Sequence, residues 1–318
     1  MYTAMVTIGA MDHIFYEAQR QGRISFYMTC EGEEAAVVGS AAALQPNDEI
    51  FSQYRESAAL LYRGFTVQQL ADQMPVHYGS KELHFQTVSS PLGTQILHAV
   101  GAGYKFKLEK SGRVAVAYFG EGAASEGDAH AALNFACTSK SPHGAISTSA
   151  EEQFVGDGIA ARGVAYGMPT IRVDGEDLLA VYAAVKEARA IALREETPVL
   201  VESMAYRVGH HSTSDDSSRY RSKDEIMAWK KFGPRDRTRK YMINRGWWSE
   251  EEDKALEAAK KKEVLKALET AGNKEKHDLD SLFSDVYDEL PPNLEEQYRD
   301  LKKHMSKYPE EYKRPSGH

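Results

Sequence analysis

The 318-residue sequence predicts an α/β fold: a doubly wound, mainly parallel sheet followed by a helical C-terminal extension. Three observations carry this expectation. Val114–Phe119 is a short apolar, β-branched run that ends in Gly120-Glu121-Gly122, and Glu126–Thr138 behind it reads as a helix. Two more strand candidates, Thr170–Val173 and Val199–Tyr206, lie on either side of a helix near Asp177–Arg194 that carries Leu178, Val181 and Val185 on one face. Strands alternating with helices make a parallel sheet, and such sheets hold their ligands at the carboxyl ends of the strands.

Taken in order, the chain opens with Ile8, Met11, Phe15 and Ala18 at spacings of three and four, an amphipathic helix that Gly22 stops. It shows no disordered leader, so the start is expected to be trimmed relative to a longer relative. The α/β rhythm sets in at Gly101. After the helix ending near Thr138 that rhythm calls for a buried strand, yet Ser139-Lys140-Ser141-Pro142-His143-Gly144 is polar and contains a helix-breaking proline. One sheet strand is therefore expected to be missing, or replaced by an irregular crossing. Gly156-Asp157-Gly158 has no strand before it and reads as a loop.

Beyond Arg221 the composition shifts toward charge. Glu251–Thr270 is a Lys/Glu-rich surface helix with Leu256, Val264 and Leu268 on one side. Leu282-Phe283-Ser284-Asp285-Val286-Tyr287 precedes Pro291-Pro292, and this apolar cluster is expected to dock on the chain or on a partner. The expected division is a ligand-binding α/β domain over 1–225 and a helical extension over 226–318 that packs on it and on partner subunits.

The balance of 39 basic and 47 acidic side chains gives a net charge of -8, which disfavours broad attraction to nucleic acid or anionic membrane. No apolar run reaches the roughly 18–20 residues of a membrane helix. Cys30 and Cys137 stand far apart, which excludes a disulfide framework and a cysteine zinc site and fits a reducing compartment. The first basic residue is Arg20, so no Arg-rich transit peptide is visible.

Four stretches carry chemistry. Gly120-Glu121-Gly122-Ala123-Ala124 puts permissive backbone and a carboxylate at a strand end, where a diphosphate and its divalent metal can be held, with Glu121 as oxygen ligand. His210-His211-Ser212-Thr213-Ser214-Asp215-Asp216-Ser217-Ser218 leaves the last strand as one polar loop. Adjacent loop histidines point apart, so joint metal binding by the pair is not expected. Tyr54-Arg55-Glu56 offers a phosphate-binding arginine, although a surface ion pair is the commoner fate of such a residue. Ser89-Ser90-Pro91-Leu92-Gly93-Thr94-Gln95 is a further polar stretch between apolar ones. The residues alone describe an α/β enzyme with a phosphate site.

At these residues the sequence closely resembles the alpha subunits of mitochondrial-type branched-chain 2-oxo acid (2-oxoisovalerate) dehydrogenases. The likeness runs almost end to end, through GRISFYMT, VGSAAAL, QYRE, MPVHYG, SSPLGTQ, YFGEGAASEGDAHAALNFA, GDGIAARG, IRVDG, YRVGHHSTSDDSSRYRS, GWW and LFSDVY. HHSTSDDSS separates this family from pyruvate dehydrogenase alpha subunits, the weaker alternative. The resemblance implies a thiamine-diphosphate-binding fold in an α₂β₂ heterotetramer, in the mitochondrial matrix. It implies decarboxylation of the 2-oxo acids of valine, leucine and isoleucine, with acyl transfer to the lipoyl group of an acyltransferase component. It assigns Tyr54, Arg55, Ser90, Leu92, Gly122, Ala123 and the catalytic His211 to thiamine diphosphate, and Glu121 to Mg²⁺. Ser89, Pro91, Thr94 and Gln95 would hold K⁺. Ser212 would be the inactivating site of a regulatory kinase, opposed by a phosphatase, and Ser222 a less consequential site.

The sequence departs from the family in two places. Where the family has a buried strand and an Arg-x-Asn-Gly-Tyr stretch completing the Mg²⁺ shell, this chain runs from Ser141-Pro142 straight to His143-Gly144, with no Asn or Tyr between Asn134 and Tyr166. A Gly/Lys-rich segment is also missing between Gln73 and Met74. Periodicity and resemblance thus agree on a lost strand and two lost metal ligands. The alternative they raise is a catalytically defective subunit that acts only by binding.

Overall fold

A computed structural model gives the fold, described for residues 1–73, 76–138, 156–275, 278–284 and 286–312. The chain divides into two units, Met1–Leu265 and Lys266–His318. In the first, β1 (Glu49–Phe51) lies between β2 (Phe85–Gln86) and β3 (Ala115–Ala117), and both pairings are parallel. A second parallel ladder joins β4 (Thr170–Asp174) to β5 (Leu200–Met204) over five residue pairs. Among the described residues no ladder connects β3 to β4. The expected strand between them falls within residues 139–155, outside the described residues.

The helices follow from their apolar spacing. α1 (Tyr2–Arg20) buries Ile8, Met11, Phe15 and Ala18, the stripe read from the sequence, and Gly22 with φ 73° turns the chain away. α2 (Glu34–Ala43) is rich in small residues, and Gly39 lets it lie against Leu178 and Val181 at the start of α8. α3 (Ser57–Tyr62) and α4 (Val67–Asp72) follow β1, and Thr66 and Gln69 form a capping box on α4. α5 (Thr94–Leu108) and α6 (Gly127–Thr138) meet through Ile96, Val100, Ala129, Ala132, Leu133 and Ala136, in a core that also takes in Leu200 of β5. α7 (Ala160–Ala165) precedes β4. α8 (Leu178–Arg194) joins β4 to β5, with Asp177 accepting from the Leu179 and Ala180 amides at 3.0 Å each as its N-cap.

One buried carboxylate fixes the amino-terminal edge of the sheet. Asp48, fully buried, accepts from Arg189 at 2.7 and 3.1 Å, from the Val114 amide at 2.9 Å and from the Gln45 amide at 2.7 Å. It thereby ties β1, β3 and α8 together, and breaking a buried pair of this kind costs about 3–5 kcal/mol. The opposite, carboxyl-terminal edge is left to carry loops.

The structure corrects the sequence reading in one place. The α/β pattern begins at Glu49, not Gly101, because β1 and β2 have three and two residues and are too short to show a period. Of the apolar cluster expected to dock on the chain or on a partner, Leu282, Val286 and Tyr287 are 67, 79 and 54% exposed. After α9 (Lys223–Lys230), α10 (Pro234–Asn244) and α11 (Glu250–Gly272), of which α11 buries Val264 and Leu268, the second unit holds α12 (Ser281–Ser284) and α13 (Pro292–Lys307). There Tyr298 donates to Asp280 at 2.5 Å and meets the Phe283 ring at 4.9 Å.

Candidate functional site

Three strand ends supply the chemistry, as a parallel sheet dictates. β1 leads into Tyr54-Arg55, β3 into Glu121-Gly122-Ala123, and β5 into the loop that carries His211. Glu56 shapes the first turn, accepting from the Ser52 hydroxyl at 2.6 Å and from the Gln53 and Tyr54 amides at 3.0 and 3.1 Å.

Arg55 is not the surface ion pair of the simpler expectation: it is buried and bridges distant segments. Its Nη1 donates to the Thr29 carbonyl at 2.8 Å, and its Nη2 reaches the His211 carbonyl at 2.6 Å and His211 Nδ1 at 3.0 Å. A guanidinium can only donate, so His211 Nδ1 is the acceptor and the ring proton sits on Nε2. Burial, then the charges of Arg55 and Arg207, lower the His211 pKa to about 4, with Asp215 opposing. At neutral pH His211 is therefore a neutral imidazole with an N–H to offer. The Tyr54 ring meets that imidazole edge-on at 6.5 Å, and among the described residues the buried Tyr54 hydroxyl has no partner within hydrogen-bond geometry.

Asp215 accepts from the His211 amide at 2.7 Å. His210 turns the other way, stacking on Tyr16 at 6.1 Å and accepting at Nδ1 from the Ser217 amide at 3.0 Å. The two histidines thus point apart as expected. Ser212 and Thr213 are buried, not solvated, whereas Ser222 is the exposed N-cap of α9.

Glu121 is partly buried, and its pKa is pushed up to about 8 by that burial and then by the charge of Glu33, against Arg207 and Arg55. Glu33 itself is raised by burial and stands 3.9 Å from Arg55. Ala123 is fully buried at the head of a short 3-10 turn. The neighbouring stretch brings three oxygens together, those of Ser89, Pro91 and Thr94. Ser89 and Thr94 share a 3.0 Å hydrogen bond, and Thr94 donates to the Pro91 carbonyl at 3.3 Å. Gln95 sends its amide N–H to the Tyr118 carbonyl at 3.0 Å, while its buried Oε1 has no partner. Ser90 contacts His77, and Leu92 is half-buried beside it.

The structure therefore groups Tyr54, Arg55, Glu121 and His211, and separately Ser89, Pro91 and Thr94, while the Gln95 amide turns to Tyr118 and Gln53. Sequence reasoning missed Thr29, Glu33 and Arg207, which surround Arg55 from distant segments. The signal for Arg207 was that it stands four residues before His211 within YRVGHHST.

Glu121 provides a pH test. A carboxyl raised from 4.5 to about 8 contributes stability that is full below 4.5 and lost as pH rises through 8. In Mg²⁺-free buffer the Glu121→Gln variant is expected to melt above the native chain at pH 9, with the gap closing by pH 5. Thermal unfolding across that range checks it, and a constant gap would place Glu121 in a solvated setting.

The dehydrogenase E1 component family matches residues 2–280. The mitochondrial 2-oxoisovalerate dehydrogenase subunit alpha of Homo sapiens is 52% identical over 334 residues, covering 98% of this chain and 75% of the relative. The Caenorhabditis elegans subunit is 52% identical, covering 98% and 78%, and subunit alpha 1 of Arabidopsis thaliana is 50% identical, covering 98% and 71%. The 334 aligned positions exceed the 318 residues of the chain, so the human relative carries at least 16 residues that this one lacks. With half its residues shared across nearly its whole length, the chain belongs to the dehydrogenase E1 component family, among the 2-oxoisovalerate dehydrogenase alpha subunits.

Proposed function

We propose that this chain, with a beta subunit in an α₂β₂ assembly of the mitochondrial matrix, binds thiamine diphosphate at the Tyr54, Arg55, Gly122, Ala123 and His211 cluster, with Ser90 and Leu92 on the neighbouring loop. The carrying observation is the Arg55–His211 contact, which joins two of the three strand ends around a neutral imidazole. The buried, unpartnered Tyr54 hydroxyl supports an anionic ligand there, and the unpartnered Gln95 Oε1 supports K⁺ among Ser89, Pro91 and Thr94, since a hard cation takes oxygen ligands.

The set does not complete a Mg²⁺ shell. Glu121 is the one assigned ligand, the Asn and Tyr of the family pattern are missing from the sequence, and among the described residues no three His, Cys, Asp or Glu converge.

When bound, the cofactor supplies the nucleophile and electron sink for decarboxylating a branched-chain 2-oxo acid. The chain's own residues hold and polarise. Arg55 anchors an anionic diphosphate while its Nη2 holds the His211 loop at the ring Nδ1 and the carbonyl and its Nη1 holds Thr29. His211 offers its Nε2 proton to charge that develops near it, without carrying charge itself. The acyl unit then passes to the lipoyl group of the acyltransferase component.

A second reading, a binding subunit without turnover, is favoured by the Asn and Tyr missing from the sequence between Asn134 and Tyr166. The two readings separate in one experiment. The chain is assembled with its beta partner and titrated with thiamine diphosphate and Mg²⁺, beside a version carrying the relatives' residues between Pro142 and His143. The restored version is expected to bind tightly and turn over 2-oxoisovalerate, the chain as given to bind about 100-fold more weakly. Equal affinities would show that the missing segment is irrelevant to the site. No binding by the given chain would establish the second reading, and none by either version would remove the cofactor assignment.

Regulation by kinase and phosphatase is proposed at Ser212 and Ser222. Ser212 is buried, accepts from the Ser214 amide at 3.2 Å and neighbours Asp215, so a phosphate adding about -1.5 to -2 charges has no room and meets like charge. Ser222 caps α9 and accepts from the Glu225 amide at 3.1 Å; a phosphate at that exposed helix start is tolerated. In the restored version Ser212→Glu is expected to suppress acyl transfer to the lipoyl domain and Ser222→Glu to spare it. Transfer left intact by Ser212→Glu would sink this account.

A further inference from the structure

Asp12 lies on α1, far from every strand end, and is buried. Its Oδ1 accepts from the Tyr27 hydroxyl at 2.9 Å and its Oδ2 from the Cys30 amide at 2.7 Å. No cation pairs with it among the described residues, and burial, with Glu34 and Glu31 adding like charge, drives its pKa well above the usual carboxylate range. A buried carboxyl without a cation is an expensive way to fill a core. What it obtains is two acceptors aimed at one extended stretch.

That stretch, residues 27–31, is the platform on which the His211 loop rests. The Tyr27 amide donates to Thr213 Oγ1 at 3.3 Å and the Thr213 amide donates back to the Tyr27 carbonyl at 3.1 Å. The Val208 amide donates to the Glu31 carbonyl at 2.9 Å, and the Thr29 carbonyl takes Arg55 Nη1 at 2.8 Å. Gly32, at φ 99°, allows the Tyr206–Val208 backbone to press against it, where any side chain would collide. These anchors leave from Tyr27, Thr29 and Glu31, and Asp12 holds the same stretch through the Tyr27 hydroxyl and the Cys30 amide.

We propose that Asp12 is a positioning residue: its carboxyl fixes the 27–31 platform and thereby the placement of Arg55 and of the His211 loop. The clamp is local, because α1 and α2 are held by their own apolar faces. Its consequence for cofactor binding rests on the proposed role of His211.

The test uses the chain assembled with its beta partner and two readouts, amide hydrogen exchange and thiamine diphosphate affinity. Asp12→Leu keeps the branched side-chain skeleton, with two methyl groups in place of the oxygens, and removes both acceptors. It should speed exchange at Val208 and Thr213 about tenfold, the size of one lost buried hydrogen bond, while amides of α2 and α8 keep their protection. Asp12→Asn still offers one acceptor to the Cys30 amide and should restore most of the protection. Tyr27→Phe, which removes one hydroxyl from an otherwise unchanged ring, should loosen the same two amides to a smaller extent and keeps the test open if Asp12→Leu fails to fold. Cofactor affinity should fall in parallel with exchange.

Unchanged exchange at Val208 and Thr213 in Tyr27→Phe and in whichever Asp12 variants fold would overturn the proposal, as would equal acceleration throughout α2 and α8, which marks a merely structural residue. Selective loosening with unaltered affinity would uphold the clamp and instead remove His211 from the cofactor site.

Discussion

The site depends on one guanidinium. Arg55 touches both the 27–31 platform and the His211 loop, and it does so with hydrogen bonds that only a planar, always-charged fork can make together. Those bonds decide the chemistry of His211 as well as its place. A neighbour that can only donate forces the acceptor role onto Nδ1, and a fixed positive charge beside a half-buried imidazole keeps it neutral. The surrounding carboxyls answer that charge: Glu33 stands next to Arg55, and Glu121 feels both Arg55 and Arg207.

The two ends of the sheet divide the labour. Asp48 ties β1, β3 and α8 at the amino-terminal edge, so the strand ends opposite can give up regular structure and hold polar groups. Between β3 and β4 that scaffold has no described ladder, at the point where the sequence drops a strand that the family carries. The same stretch would bring the remaining metal ligands. What the described residues do hold is the guanidinium site at Arg55 and the Ser89, Pro91 and Thr94 oxygens.

Much of this was legible in the chain. β3, β4 and β5 were visible because each is an apolar run with a polar or glycine-rich exit, and α1 because four apolar residues repeat at helical spacing. β1 and β2 were not, since three and two residues cannot display an alternation. Tyr54, Arg55, Glu121 and His211 were found as site residues through motif resemblance, but burial of Arg55 was not foreseeable: its partners lie 26 and 156 positions away. Asp12 gave no signal either. An acidic residue on an amphipathic helix reads as solvated, and only the fold shows that it faces Tyr27 and Cys30.

The central claim, that Arg55 holds His211 as a neutral imidazole with its proton on Nε2, is tested most directly by nitrogen NMR of the histidine-labelled chain across pH. The His211 ring should show the Nε2–H form unchanged from pH 8 to pH 5, and in Arg55→Lys it should populate the other tautomer and titrate closer to the ordinary histidine value. A His211 that titrates near 6.5 in the native chain, or that carries its proton on Nδ1, would contradict the account.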